Sequence, residues 1–262
     1  MKTVLITGGS SGLGYGISRH FARAGFQILW VSLHQEELDT AAKKLEAEFP
    51  ALVLHSLAKD LSQDGAAQAV KAWTDQQGWQ VDVLINNAGF GNYGYVEEIP
   101  LDREMGLMKL NMLNLYAMSR IYLQEMKGRD QGTIINISSN SSFQPVPMMN
   151  TYASSKAFVT HFSRGLSEEL RLAGSKVKVL TVCPAAIADT PFKTVNQMEK
   201  VKTFSGMAYT TVEEVSKDVW RAYRKGKSFQ VSGAKMRALF FIKDLVPYRL
   251  QQWMVQREIK LS

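Results

Sequence analysis

The chain has 262 residues, 45% of them hydrophobic, which accommodates one large α/β domain, or two small ones, around a sizeable core. A single cysteine, Cys183, excludes an internal disulfide and fits a reducing, cytoplasmic setting. The net charge of +7 sits at one end: residues 221–262 carry ten Lys/Arg against Asp244 and Glu258, leaving 21 basic and 22 acidic residues before them, so the high pI does not signal a nucleic-acid-binding fold.

Residues 2–7 predict a short buried strand. Its apolar run, 3–6, is too short for a signal peptide or a membrane span, and no later run reaches span length, so no leader or anchor is expected. Thr7-Gly8-Gly9-Ser10-Ser11-Gly12-Leu13-Gly14 follows, and then a helix over 15–24 with Ile17, Phe21 and Ala24 on one side, ended by Gly25. Strand, glycine turn and helix is the context in which backbone approaches a pyrophosphate and a helix N-terminus offers free N–H groups. Strands over 26–33, 52–57 and 81–86 alternate with helices over 36–49 and 63–77, and the last strand runs into Asn86-Asn87-Ala88-Gly89. Such alternation builds a parallel sheet with helices on both faces, and ligands bind at the carboxyl ends of its strands. Gly8, His34, Asp60 and Asn87 fall at or just past those ends.

Further on, strands are predicted over 132–138, 176–182 and 228–231, with a long helix over 149–172 and another over 211–225. The long helix carries Tyr152 and Lys156, four residues apart and so on one face, with Ser139 thirteen residues upstream. A free phenol has a pKa of about 10; a nearby ammonium is expected to favour the phenolate and bring the group toward working pH. The four histidines are scattered, and no cluster has metal-ligand spacing, so no metal site is expected.

Taken together, T-G-x-x-x-G-x-G at 7–14, Asp60-Leu61, N-N-A-G at 86–89, Asn111, Ser139 and Y-x-x-x-K at 152–156 resemble the short-chain dehydrogenase/reductase family, single-domain branch, over roughly 2–232. The resemblance implies a Rossmann-like, doubly wound parallel sheet of about seven strands. Catalytic roles fall on Asn111, Ser139, Tyr152 and Lys156. Tyr152 exchanges a proton with the carbonyl or alcohol oxygen, and Ser139, or its neighbour Ser138, hydrogen-bonds that oxygen. Lys156 holds the nicotinamide ribose, and Asn111 interrupts its helix and holds a water that links Lys156 to solvent. Cofactor contacts fall on Gly8, Ser10, Ser11, Gly12, Leu13 and Gly14, on Asp60 and Leu61 at the adenine, and on Asn87, Ala88 and Gly89 at the adenosine ribose. An alternative of the same fold is a catalytically silent cofactor-binding regulator or scaffold.

No acidic residue stands at 32–34 to select NAD, whereas Ser32 and His34 suit a 2′-phosphate; NADP is therefore expected, with NAD allowed. After the strand at 176–182 the family has Pro-Gly with a threonine close behind; this chain has Pro184-Ala185 and places Thr190 one position late, so the Ile187 backbone is the expected carboxamide contact. A lid is expected over 190–210, with Phe192, Met198, Phe204, Met207 and Tyr209. Phe90, Tyr93, Phe143, Val146, Met148, Met149 and Phe192 point to an apolar ketone or secondary-alcohol substrate. Residues 233–262 extend the domain of 1–232 and are both basic and apolar, divided by Pro247. They read either as a helix pair in peripheral contact with an anionic membrane or as a helical extension closing over the pocket or onto a partner subunit. A homodimer or homotetramer is expected from the family.

Overall fold

The computed structural model describes residues 1–196, 209–242 and 245–259. The first half alternates β1 (Thr3–Thr7), α1 (Gly12–Arg23), β2 (Gln27–Ser32), α2 (Gln35–Glu48), β3 (Leu54–Ala58), α3 (Ala66–Gln76) and β4 (Val83–Asn86). Two helices follow, α4 (Leu101–Met108) and α5 (Leu115–Gly128), joined without a break by a π-helical turn over Lys109–Asn114. The second half contains β5 (Thr133–Ile137), α6 (Asn150–Leu172), β6 (Lys178–Pro184), the short α7 (Phe192–Val195), α8 (Val212–Arg224), β7 (Phe229–Ser232), α9 (Ala234–Ile242) and α10 (Tyr248–Ile259).

The strands form one parallel sheet in the order β3-β2-β1-β4-β5-β6-β7. β1, β2 and β4 are buried along their whole length, as strands covered on both faces must be. Alternate residues feed two cores. Val4 and Ile6 pack with α1, α2 and α8 through Ile17, Phe21, Leu38 and Val219, while Leu5 and Leu29 pack with α3, α5 and α6 through Val70, Tyr122 and Leu166. The doubly wound parallel sheet expected from the sequence is thus present, with strand ends shifted by no more than two residues. The strand order reverses between β1 and β4, which places the ligand crevice at the carboxyl ends of these two strands.

A buried polar chain crosses the sheet centre. Asn86 Nδ2 donates to Ser119 Oγ (3.0 Å) and Asn136 Oδ1 (2.8 Å), and Asn136 Nδ2 donates to Ser163 Oγ (2.8 Å). It links β4 and β5 to α5 and α6, so the long helix sits at one depth on the sheet, because sliding it would orphan buried donors. No helix among the described residues is long and apolar enough to cross a membrane. A third cluster, at the carboxyl edge, gathers Leu107, Val146, Met149, Tyr152 and Ala153 with Ile259 of α10.

Candidate active site

The glycine turn forms a cradle between β1 and α1. Gly12 has φ +49°, in the region that favours glycine, and a Cβ on Gly14 would lie 2.0 Å from the Gly8 carbonyl oxygen. Ser11 is the N-cap of α1 and makes no side-chain cap, and no acidic residue occupies the first turn. The first N–H groups of α1 and the partial positive charge of the helix end are therefore left free of side-chain competition for an anion. Leu13 turns inward and belongs to the core.

Thr7 ties this turn to the second motif. Its hydroxyl accepts the N–H groups of Asn87 and Ala88, both at 3.0 Å, while Asn87 Nδ2 donates back to the carbonyls of Thr7 (3.0 Å) and Gly8 (3.1 Å). Gly89 continues the line toward Asn111 Oδ1 and Lys156 Nζ. The two motifs are one rigid unit. At the end of β2, Ser32 Oγ accepts from Ser10 Oγ (3.1 Å), and His34 is an exposed N-cap of α2 whose side chain makes no cap bond. The Lys59 backbone N–H donates to the Ser32 carbonyl (2.8 Å), continuing the pairing of β2 and β3 just past the end of the strands. Leu61 is buried. Asp60 is held by Ser62 and Gln63: burial opposes its ionisation, but hydrogen bonds from both residues outweigh that and keep the carboxyl below its usual range.

The catalytic candidates converge as expected. Tyr152 is 9% exposed, Lys156 5%, and Asn111 is fully buried. Lys156 Nζ lies 5.8 Å from the centroid of the Tyr152 ring and donates to the Ile137 carbonyl (3.0 Å). Ser139 stands beside the Tyr152 phenol and works to lower its pKa; its hydroxyl donates to Asn140 Oδ1 (3.3 Å) and accepts the Ser141 N–H (3.2 Å). Ser138 faces elsewhere: its hydroxyl bonds the Lys156 carbonyl (2.8 Å) and Thr160 (2.7 Å), a buried structural role. Asn111 stands in the π-helical turn, so the expected interruption of its helix is present. Its side chain donates to the Phe90 carbonyl (2.9 Å) and Ser155 Oγ (3.2 Å) and accepts the Phe90 N–H (3.2 Å).

One expectation is corrected. The phenol is not drawn toward neutral pH. Burial raises Tyr152 to about 12, against a smaller lowering by Ser139. Burial also lowers Lys156 to about 8. Taking each group out of water is the dominant cause in both, and the Lys156 ammonium does not figure among the influences on the phenol.

Beyond β6, an isolated bridge joins Ile187 to Thr210 through Ala188 N–H and the Ala186 carbonyl, so it does not use the Ile187 N–H, which suits the expected carboxamide contact. Thr190 donates to the Ile187 carbonyl at 3.4 Å and lies against Gly12. Of the expected lid, Met198, Phe204 and Met207 lie outside the described residues, and Tyr209 is exposed. Phe192 packs on Tyr152 with ring centroids 5.5 Å apart. Phe90, Tyr93, Val146, Met148 and Met149 join the apolar cluster around the tyrosine; Phe143 instead packs on Phe229 and Phe240. The unforeseen member is Ile259, which is 6% exposed and whose carbonyl accepts the Tyr93 hydroxyl at 2.9 Å. Val255 lies one turn before it on the same face. Asn196 also went unmarked; it is buried and its Oδ1 accepts the Gly91 N–H (2.9 Å). Among the described residues no group of His, Cys, Asp and Glu could hold a metal.

The residues present therefore fit a nicotinamide dinucleotide: a phosphate cradle free of side chains and acid, and a buried amine beside a proton donor. Comparison with known proteins agrees. The very-long-chain 3-oxoacyl-CoA reductase-A of Danio rerio is 34% identical over 193 residues, covering 71% of this chain, and the chain spans 58% of that relative's length. A short-chain dehydrogenase from Sphingobium yanoikuyae, solved in complex with NADPH, superposes with a TM-score of 0.82 at 25% identity over 99% of this chain and 97% of that one. A second, from Burkholderia phymatum in complex with NAD, shares the fold with a TM-score of 0.80 at 22% identity over 93% and 94% of the two chains. The family model for the short chain dehydrogenases matches residues 2–200, most of the length, and this chain belongs to that family of oxidoreductases.

Proposed function

We propose that this protein reduces an apolar ketone, carried on a long acyl-type chain, to the secondary alcohol, with NADPH preferred over NADH and Tyr152 as the general acid. The observation that carries the reading is the buried Tyr152 side chain, with Lys156 Nζ 5.8 Å from its ring, Ser139 beside it and an apolar cluster around it. A nicotinamide dinucleotide held by the glycine turn and Lys156 would supply the hydride for the carbonyl carbon. Tyr152 Oη delivers the proton to the oxygen, so C=O becomes CH–OH. Ser139 Oγ donates to the same oxygen as charge develops. Lys156, held by the Ile137 carbonyl, would hold the nicotinamide ribose, and its charge would assist reprotonation of the tyrosine. The ketoreductase names of the curated relatives and the apolar residues around Tyr152 support the substrate class. Ser32 and exposed His34 support NADPH, as does the cofactor of the Sphingobium structure. A homodimer or homotetramer remains the family's expectation.

The test is oxidation of NADPH and of NADH, followed by absorbance, over a panel of apolar ketones and 3-oxoacyl thioesters of increasing chain length. The expected result is kcat/KM rising with chain length and at least tenfold higher with NADPH. Binding of both cofactors with no turnover anywhere in the panel would establish the silent cofactor-binding alternative.

A further inference from the structure

Helix α10 is apolar on two opposite faces. At 3.6 residues per turn, Gln251, Val255 and Ile259 fall on one side, and Leu250, Trp253, Met254 and Arg257 on the other. The inner side is covered by the catalytic body through Ile259, Val255 and the Tyr93 hydroxyl. The outer side is open: Leu250, Trp253 and Met254 are 47%, 54% and 43% exposed. The approach to α10 continues the same character, with Tyr248 at 61%, Leu245 at 83% and Phe241, in α9, at 79%. Lone exposed apolar residues are ordinary, but six within fourteen positions of one helical pair is a concentration well beyond that.

The charge around the patch is positive. Lys235, Arg249 and Arg257 are exposed, and Arg257 stacks on Trp253, 5.6 Å from its ring centroid. From 221 onward the sequence carries ten Lys/Arg against two acids, whereas the body before it is near neutral. Aromatic rings and aliphatic chains flanked by Arg and Lys match a lipid–water interface, where rings sit at headgroup depth and cations meet anionic lipid.

We propose that the outer face of α9 and α10 docks on the surface of an anionic membrane, with Trp253, Leu250 and Phe241 entering the headgroup boundary. The inner face of α10 stays on the catalytic body, so docking brings the Tyr152 side of the molecule close to the lipid surface. This inference concerns where the protein binds and stands whether or not the reductase reading holds.

The test is co-sedimentation of the full chain with vesicles of phosphatidylglycerol and phosphatidylcholine in equal parts, and with pure phosphatidylcholine, at low and high salt. Each basic residue at the surface is expected to contribute about fivefold, so binding to anionic vesicles should exceed binding to neutral ones at least twentyfold and fall steeply with salt. The double variant Leu250→Glu, Trp253→Glu should lose at least tenfold in vesicle binding while retaining its thermal unfolding temperature and NADPH affinity. Equal binding to both vesicle types, or no loss in the double variant, would overturn the proposal. So would an analytical ultracentrifugation series in which the wild type self-associates through this face, the variant does not, and neither binds vesicles; a second copy of the chain would then be the occupant.

Discussion

The two sides of the site are built on different physical terms. The cofactor side is backbone and short polar side chains from adjacent strands: the glycine turn, Thr7 and Asn87 make a closed set of hydrogen bonds near 3.0 Å. The substrate side is large apolar side chains from five separated stretches, around 90–93, 107, 146–153, 192 and 255–259. One side holds its shape through directional bonds within the protein. The other is shaped by apolar contact, which tolerates exchange of side chains without disturbing the fold.

That contrast can be broken from the centre outward. Tyr152→Phe removes the proton donor and leaves the cradle intact, so kcat should fall by ~10³-fold or more while NADPH affinity, read by fluorescence titration, changes little. Gly14→Ala attacks the other side. A Cβ 2.0 Å from the Gly8 oxygen forces the turn apart, and a loss of about 3 kcal/mol in stability, with NADPH binding weakened at least a hundredfold, is expected by thermal melting and titration.

Lys156 joins the two sides, and its burial has a pH signature. The unfolded lysine binds its proton up to about 10.4, the folded one only to about 8. Between those values the unfolded state holds more protons, so stability rises with pH and the cost of the buried charge is fully present below pH 8. Urea unfolding of the cofactor-free protein against Lys156→Met should therefore show the wild type gaining roughly 3 kcal/mol on the variant between pH 8 and 10.5. A pH-independent difference would mean that Lys156 is not buried in its charged form. The smallest effect belongs to the outer wall. Tyr93→Phe removes the hydroxyl that holds the Ile259 carbonyl, and about 1 kcal/mol is expected, seen as a KM for long apolar substrates several-fold higher with NADPH affinity unchanged.

The same contrast governs what the sequence reveals. Glycines at fixed offsets after a buried strand, and a tyrosine and lysine one helical turn apart, are local signals with local causes, so Gly8, Gly14, Asn87, Tyr152 and Lys156 were legible from spacing and resemblance. So was the sheet, since buried runs alternating with amphipathic helices admit few arrangements. Ile259 was not legible: it joins the apolar cluster that holds Tyr152 from more than a hundred residues away, and an isoleucine in that basic, apolar stretch carries no mark of where it packs. Neither was the direction of the Tyr152 shift, because depth of burial is a property of the assembled site and the pairing rule alone points the opposite way.

The π-helical turn at Lys109–Asn114 carries a consequence for chain length. It accommodates one residue more than a regular helix would over the same path, and each residue of an α-helix turns its successors by about 100°. Removing a single residue there would give a smoother helix of the same phase, so Met118 and Tyr122, now fully enclosed, would keep their places on the sheet while Asn111 would lose the sideways step that brings it to Phe90. The irregularity thus acts as a spacer: it lets Asn111 reach sideways to Phe90 without dragging the rest of the helix out of phase with the strands beneath it.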